Sequence, residues 1–439
     1  MAKLALTVRE FAQLTTESVP VPSLDRVQVT PSAFDWLCRL GRSEQAPGTS
    51  LVQWTGSTRL LLRNYVGVIE TPCGTRLEIL PKVFSDVACV PRSRRLLRKM
   101  ICAAMDLPTR SLGETSLQTF DAPLTEWMMS RFLAELNRLT KRGIRFDYER
   151  IQSSERFLRG QLDIARQVRK PPGRLHEFEI EHDVFSPDRP ENRLLRRALD
   201  EVVQTTRLPD NWRLAQELRM LLREIPASRA VQADFRAWGN DRLTQHYRPV
   251  RPWCELILQH ALPLSLVGDW RGVSLLFPME RLFERYFAMW VSREVTTGVT
   301  VRSQAASEYL CQHLGATMFR MEPDVLLQGS SRRWLIDTKW KRLQGGDRSN
   351  KYGLSQADMY QLFAYGVKYL GASGGHLALV YPRTDSFQSS LAEFDLGHGL
   401  HLHVLPFDLE MDELLGAAQA SLPLRTPVVR DDPHLILAT

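Results

Sequence analysis

Two aspartates and a lysine form the most chemically suggestive spacing in this sequence: Pro323-Asp324, then Asp337-Thr338-Lys339. The β-prone runs Thr317 to Gln328 and Arg332 to Trp340, joined at Gly329-Ser330-Ser331, predict a hairpin. Such a hairpin sets Asp324 opposite Asp337, to within one residue of register. Facing carboxylates repel unless something compensates. A divalent cation does so, and carboxylate oxygens suit Mg²⁺ or Mn²⁺. Strand alternation puts Lys339 on the same face as Asp337. Two acids and an ammonium group converging on one point suit metal-dependent hydrolysis of a phosphodiester. The metal neutralises the scissile phosphate and activates water, while Lys339 orients that water and offsets transition-state charge.

Short acidic motifs also arise by chance, so their neighbours matter. Glu284, on the preceding helix, is placed to supply a third metal ligand. Glu280, one turn earlier, competes for that role, and a solvated helix carboxylate is the plain alternative. Gln361 and Tyr365 stand at i, i+4 and so share a helix face. They either hold the hairpin, contact a DNA backbone, or are simply polar surface beside Leu362 and Phe363.

From about residue 270 the pattern runs helix, strand, strand, helix, strand. Pro278 suits the first turn of a helix whose apolar face carries Leu282, Phe283, Tyr286, Phe287 and Trp290. A polar loop runs from Gln344 to Gly353. Ser355 with Asp358 predicts a capping box, Gly371 ends that helix at Leu370, and His376 to Tyr381 reads as a strand.

Residues 1 to about 120 read as strand-rich, with runs at Arg59 to Leu62, Tyr65 to Glu70 and Thr75 to Leu80. Cys73-Gly74 marks a hairpin turn and Pro81 stops the last strand. The cluster Arg92, Arg94, Arg95, Arg98 and Lys99 reads first as a solvated helix face, and second as a DNA or partner contact.

Residues 121–265 read as mainly helical. Trp127, Phe132, Leu133, Leu136 and Leu139 form a core face, and Asn192 to Val203 and Trp212 to Leu222 repeat that character. Lys170-Pro171-Pro172-Gly173 reads as a turn or linker, and the aromatics of this region read as core rather than base-stacking platforms. The expectation is an α/β multidomain chain of three regions, 1–120, 121–265 and 266–439.

At 439 residues, 44% hydrophobic and 24% charged, the chain has the balance of a globular protein with several cores. A net charge of +7 favours a polyanionic partner such as DNA. No apolar run is long enough to span a bilayer, and MAKLALTVREF lacks the pattern of a secretory signal, so the expected location is the cytoplasm with no membrane partner. None of the six cysteines has CxxC or zinc spacing.

The helix–PD–DxK–QxxxY order over about 280 to 382 resembles the PD-(D/E)XK nuclease superfamily. That resemblance implies a restriction-endonuclease-like core, a mixed sheet flanked by helices, with Asp324, Asp337, Lys339 and Glu284 at the catalytic site.

Tyr65-Val66-Gly67-Val68-Ile69 and Leu77-Glu78-Ile79-Leu80-Pro81-Lys82 resemble the N-terminal signature of the McrC family. Leu158-Arg159-Gly160 and Asp188-Arg189-Pro190-Glu191-Asn192-Arg193 resemble its middle segment. Leu282-Phe283-Glu284 and Asp337-Thr338-Lys339-Trp340-Lys341 resemble its nuclease half. The resemblance implies the endonuclease subunit of a McrBC-type, modification-dependent restriction complex. Its partner would be a McrB-like AAA+ GTPase ring that recognises DNA containing modified cytosine and translocates it. The N-terminal half, with 1–120 as the docking region, would engage the ring and stimulate its hydrolysis while the C-terminal domain cuts. No Walker motif occurs in the sequence, which fits that division of labour. A non-catalytic adaptor of an AAA+ ring is the alternative. A basic DNA-binding regulator ranks last, because no helix-turn-helix or zinc finger is recognisable.

Overall fold

The computed structural model describes residues 5–43, 51–83, 90–105, 123–239, 242–259, 275–330, 332–371 and 374–425. Cys89, Ser331 and the expected region boundaries near 120 and 265 lie outside the described residues. The chain is mixed α/β and forms two compact units, one of residues 1–121 with 262–439, the other of residues 122–261. Both ends of the chain thus build the same unit.

The first part of that unit contains β1 (Ala5–Arg9), β2 (Gln13–Thr15), β3 (Arg26–Gln28), α1 (Pro31–Ser43), β4 (Val52–Gly56), β5 (Arg59–Leu62), β6 (Tyr65–Glu70), β7 (Arg76–Leu80) and α2 (Val90–Ala104). The expected hairpin is β6–β7. At its turn Gly74 has φ 84° and its N–H donates to the Thr71 carbonyl at 2.9 Å. Val8, Leu14, Leu37, Leu60, Leu77 and Ile79 share one core.

The basic cluster of α2 is only partly a solvated face: Arg92 and Arg95 are exposed, and the others are partly or fully buried. Arg94 pairs with Glu78 at 2.7 Å, Lys99 with Asp412 at 2.7 Å, and Arg92 with Glu410. Arg98 is buried. The acids that meet these side chains lie up to 318 residues away, so local sequence does not reveal them.

The second unit comprises α3 (Leu124–Arg142), β8 (Asp147–Glu155), β9 (Gln161–Leu162), α4 (Ile164–Val168), β10 (Phe178–Ser186), α5 (Pro190–Thr205), α6 (Pro209–Leu221), α7 (Val231–Ala237) and α8 (Arg251–Gln259). Its helical core holds Trp127, Phe132, Leu133, Leu136 and Leu139, with Trp253 edge-on to Trp127 at 5.4 Å.

The Asp188 to Arg193 segment pins the start of α5. Arg193 pairs with Asp234 at 2.7 Å, and buried Asn192 donates to the carbonyls of Arg145 and Pro187 at 2.9 Å each. The Tyr247 hydroxyl donates to Asn192 Oδ1 at 2.8 Å.

A three-stranded antiparallel sheet, β8-β10-β9, departs from the expected helical character. The residues of β8 are largely exposed, so it carries no buried apolar face to announce it. The aromatics there also depart from expectation. Tyr148, Phe157 and Phe185 are exposed by 71%, 82% and 58%, not buried.

The chain then returns to the first unit with β11 (Leu275–Pro278), α9 (Met279–Glu294), β12 (Thr300–Ser303), β13 (Glu308–His313), β14 (Ala316–Met321), β15 (Val325–Gln328), β16 (Arg333–Thr338), α10 (Gln356–Leu370), β17 (Gly375–Pro382), β18 (Phe394–Asp395), β19 (Leu400–Asp408) and β20 (Glu413–Leu414). β11 closes a sheet ordered β1-β7-β6-β11. Gly67 is required at that closure: a Cβ there would fall 1.9 Å from the Leu275 carbonyl oxygen.

A seven-stranded sheet is mixed, ordered β12-β15-β16-β17-β19-β18 with β20 beside β19. β15 runs antiparallel to β16, while β16, β17 and β19 are mutually parallel. α10 covers one face through Leu362, Tyr365 and Tyr369 against Leu335, Leu377, Leu379 and Val404. On the other face, Phe283, Tyr286, Phe287 and Trp290 of α9 surround Phe407.

Three local expectations are corrected here. The run Thr317 to Gln328 is two strands, broken where Pro323 offers no ladder N–H. Pro278 caps α9 rather than opening its first turn. Ser355 occupies the N-cap of α10 without a side-chain bond, and Asp358 pairs with Lys341 at 3.0 Å instead of closing a capping box. No helix among the described residues is long and apolar enough to cross a membrane.

Candidate active site

The pairing of Val325 with Ile336 carries Asp324, one residue before β15, opposite Asp337. Alternation puts both on the face covered by α10. Asp324 Oδ2 accepts from the Thr338 N–H and hydroxyl, each at 2.6 Å. This ties the Pro323-Asp324 step to the end of β16.

Lys339 Nζ lies 2.6 Å from Asp337 Oδ2 and donates to Gln361 Oε1 at 3.4 Å. Gln361 Nε2 donates to the Tyr365 hydroxyl at 2.8 Å, which donates to the Glu322 carbonyl at 3.3 Å. Gln361 and Tyr365 therefore link the lysine to the Glu322-Pro323-Asp324 turn.

Glu284 joins the cluster from α9. Its charge acts on both Asp324 and Asp337, whereas Glu280 is exposed and acts on Glu10. Gln304 positions it: the side chain donates to Glu284 Oε1 at 3.0 Å, and the backbone N–H donates to the Asp324 carbonyl at 2.9 Å. Gln304 has φ 49° in the turn after β12, and no sequence pattern marks it.

The electrostatics are those of a site short of positive charge. Burial, then the charges of Asp337 and Glu284, hold the Asp324 carboxyl well above the usual range. Burial also raises Asp337, which is 2% exposed, against the pull of Lys339. Burial opposes the charge on Lys339, but Asp337 outweighs it and the lysine stays protonated. Four carboxylates (Glu284, Asp324, Asp337 and Asp358) face the two ammonium groups of Lys339 and Lys341.

Among the described residues no group of three or more His, Cys, Asp or Glu side chains is arranged to hold a metal ion. The site is thus a pair of carboxylates with Glu284 turned toward Gln304, not a closed cage. Such an open pair fits Mg²⁺, which keeps several waters and binds through one or two carboxylates plus substrate phosphate.

The site also rests on the N-terminal strands. Trp340, next to Lys339, donates from Nε1 to Glu10 Oε1 at 2.9 Å and packs on Phe283 at 5.3 Å. Glu10 also accepts from the Lys82 N–H at 2.8 Å. Burial pushes its carboxyl up to about 7. A carboxyl raised in this way stabilises the fold fully below its unfolded pKa, and that contribution is lost as pH rises through the folded value. Glu10→Gln keeps the acceptor and does not ionise. Relative to wild type it should gain stability between about pH 5 and pH 8, by up to about 3 kcal/mol in urea unfolding. A stability difference independent of pH would show that Glu10 is charged throughout.

Fold and site together define a mixed α/β protein with an acid–lysine cluster at the end of an antiparallel strand pair. Residues 60–382 match the family described as McrBC 5-methylcytosine restriction system component. The chain belongs to that family, in keeping with its resemblance to McrC. No curated protein matches it.

Two solved structures share its fold. The refined half-complex from a tetradecameric assembly of Thermococcus gammatolerans McrB AAA+ hexamers with bound McrC is 18% identical with a TM-score of 0.67, covering 92% of this chain and 94% of that one. The cryo-EM structure of the Thermococcus gammatolerans McrBC complex is 22% identical with a TM-score of 0.50, covering 66% and 87%.

Proposed function

We propose that this chain is the metal-dependent DNA endonuclease subunit of its restriction system, with residues 266–439 as a PD-(D/E)XK domain. The observation that carries the reading is the convergence of Asp324, Asp337 and Lys339 on one sheet face, where a divalent cation would favour ionisation of the two buried carboxyls. Asp324 and Asp337, with Glu284 beside them, would hold Mg²⁺ or Mn²⁺. When bound, that ion supplies Lewis-acid stabilisation of the phosphate charge.

Lys339, protonated and braced by Gln361, cannot accept a proton. It donates hydrogen bonds instead, orienting the attacking water and stabilising charge that develops on the phosphate oxygens. Trp340 and Glu10 fix the strand end from which Lys339 projects. Tyr365 and Thr338 hold the Asp324 turn against it. These contacts would hold the lysine and the two carboxyls in place before substrate binds.

The partner is proposed to be an AAA+ ring, as in the Thermococcus gammatolerans assembly of McrB AAA+ hexamers with bound McrC. The chain would cut DNA bearing modified cytosine when assembled with that ring, and would stimulate the ring's nucleotide hydrolysis.

The metal assignment is tested by calorimetry with Mn²⁺ on the full chain. Wild type should bind and gain thermal stability. The Asp324→Ala/Asp337→Ala double variant should lose at least about tenfold in affinity, since each removes a ligand. Binding unchanged in the double variant would place the metal elsewhere.

A further inference from the structure

Among the described residues, strands β13 and β14 pair only with each other, as a hairpin whose end lies three residues before Asp324. Leu314 and Gly315 form its two-residue turn with φ 48° and 80°, the sign required at both positions of a type I′ turn. Asn, Asp or Gly suits the first position; leucine there is strained, because its Cβ crowds the carbonyl. Leu314 is also 93% exposed.

Phe319 repeats the anomaly on β14, with φ 56° and 69% exposure. It interrupts the ladder, which pairs Tyr309 with Arg320 and Cys311 with Met318 but skips Leu310. Two bulky apolar side chains therefore sit in strained backbone and in water. Neither position serves the stability of the free chain, and backbone strain of this kind concentrates at functional sites.

The base of the hairpin is fixed. The Tyr369 hydroxyl lies 2.6 Å from the Ala305 carbonyl oxygen and 2.7 Å from that of Met321, and accepts from the Glu308 N–H at 3.4 Å. Tyr369 is one turn beyond Tyr365 on α10. A hydrogen-bonded line thus runs from Lys339 through Gln361 and Tyr365 to the residue following β14, with Tyr369 gripping the strands themselves. Strands of six residues extend about 20 Å, enough to span several base pairs beside the catalytic carboxylates.

We propose that this hairpin is a DNA wedge: Leu314 and Phe319 enter the double helix beside the cleavage site and part its base stack. Apolar side chains used in this way unstack a step and kink the duplex, which helps to present a backbone phosphate. The proposal rests on the nuclease reading for its choice of DNA as occupant.

The test uses the full chain, a short duplex carrying 2-aminopurine, and Ca²⁺ to prevent cutting. The variant Leu314→Asn/Phe319→Asn places residues that tolerate positive φ at both positions. Its melting temperature should equal or exceed that of wild type. Wild type should raise 2-aminopurine fluorescence by about threefold or more at some position, and the variant should not.

Equal fluorescence responses would overturn the proposal, as would failure of wild type to bind or unstack the duplex at low salt. A variant that loses oligomeric mass but unstacks DNA normally would assign the tip to a second copy and overturn it too. Unstacking by a wild-type chain that never cuts, even with Mg²⁺ and its partner, would remove the nuclease reading and leave the wedge.

Discussion

Asp337→Asn should lower DNA cleavage by about 10³-fold or more, measured with partner ring, nucleotide and Mg²⁺ present. The amide keeps the shape of the side chain but supplies no anionic oxygen to a cation or to Lys339. The fold should survive, since Asp337 is a buried acid whose carboxyl is raised by burial and by its acidic neighbours. In EDTA the variant should melt no lower than wild type, because a neutral side chain no longer repels Asp324 and Glu284. The stabilisation that Mg²⁺ gives the wild-type chain should disappear.

Lys339→Met should cut as poorly while still binding Mn²⁺, which separates the charge-stabilising group from the ligands. Near-normal cleavage by well-folded Asp337→Asn protein would move the chemistry away from β16.

The second large effect concerns the ring. The N-terminal strands are built into the same unit as β16 and α10, and Glu10 buttresses the residue beside Lys339. A break at residue 265 would strip β11 from β6, so isolated halves are poor reagents. Point variants in the full chain are the cleaner test.

The second unit offers the more exposed surface. Phe185 stacks on Phe146 and lies beside Tyr148, with ring centroids 5.1 Å apart in both pairs. Exposed aromatics clustered on one sheet are typical anchors of protein interfaces, where a single one is worth 2 kcal/mol or more. Tyr148→Ser/Phe185→Ser should therefore reduce stimulation of the partner's nucleotide hydrolysis by about tenfold or more. Mn²⁺ binding should be unchanged. Full stimulation by this variant would place docking on the N-terminal strands instead.

The acid–lysine constellation was legible because its geometry is local. Alternation along a strand fixes which residues share a face, and a short turn leaves few registers for Asp324 against Asp337. The β6–β7 hairpin, the apolar face of α9 and the end of α10 at Gly371 were readable for the same reason. Each depends on residues within a few positions of one another.

The β8-β10-β9 sheet was not legible. Its strands bury little apolar surface, and burial is what writes a period into a sequence. The fate of the α2 arginines was equally hidden, because their carboxylate partners come from distant segments. Long-range packing also distinguishes Glu284 from Glu280: helix periodicity offers both, and the position of α9 against the sheet puts the charge of Glu284 within reach of the aspartates and that of Glu280 within reach of Glu10. The sequence by itself thus determined the chemistry available on β16. Tertiary structure alone decided that Glu10 and Gln304 brace it, because hydrogen bonds between separate segments, 330 residues apart for Glu10 and Trp340, leave no periodic trace in the chain.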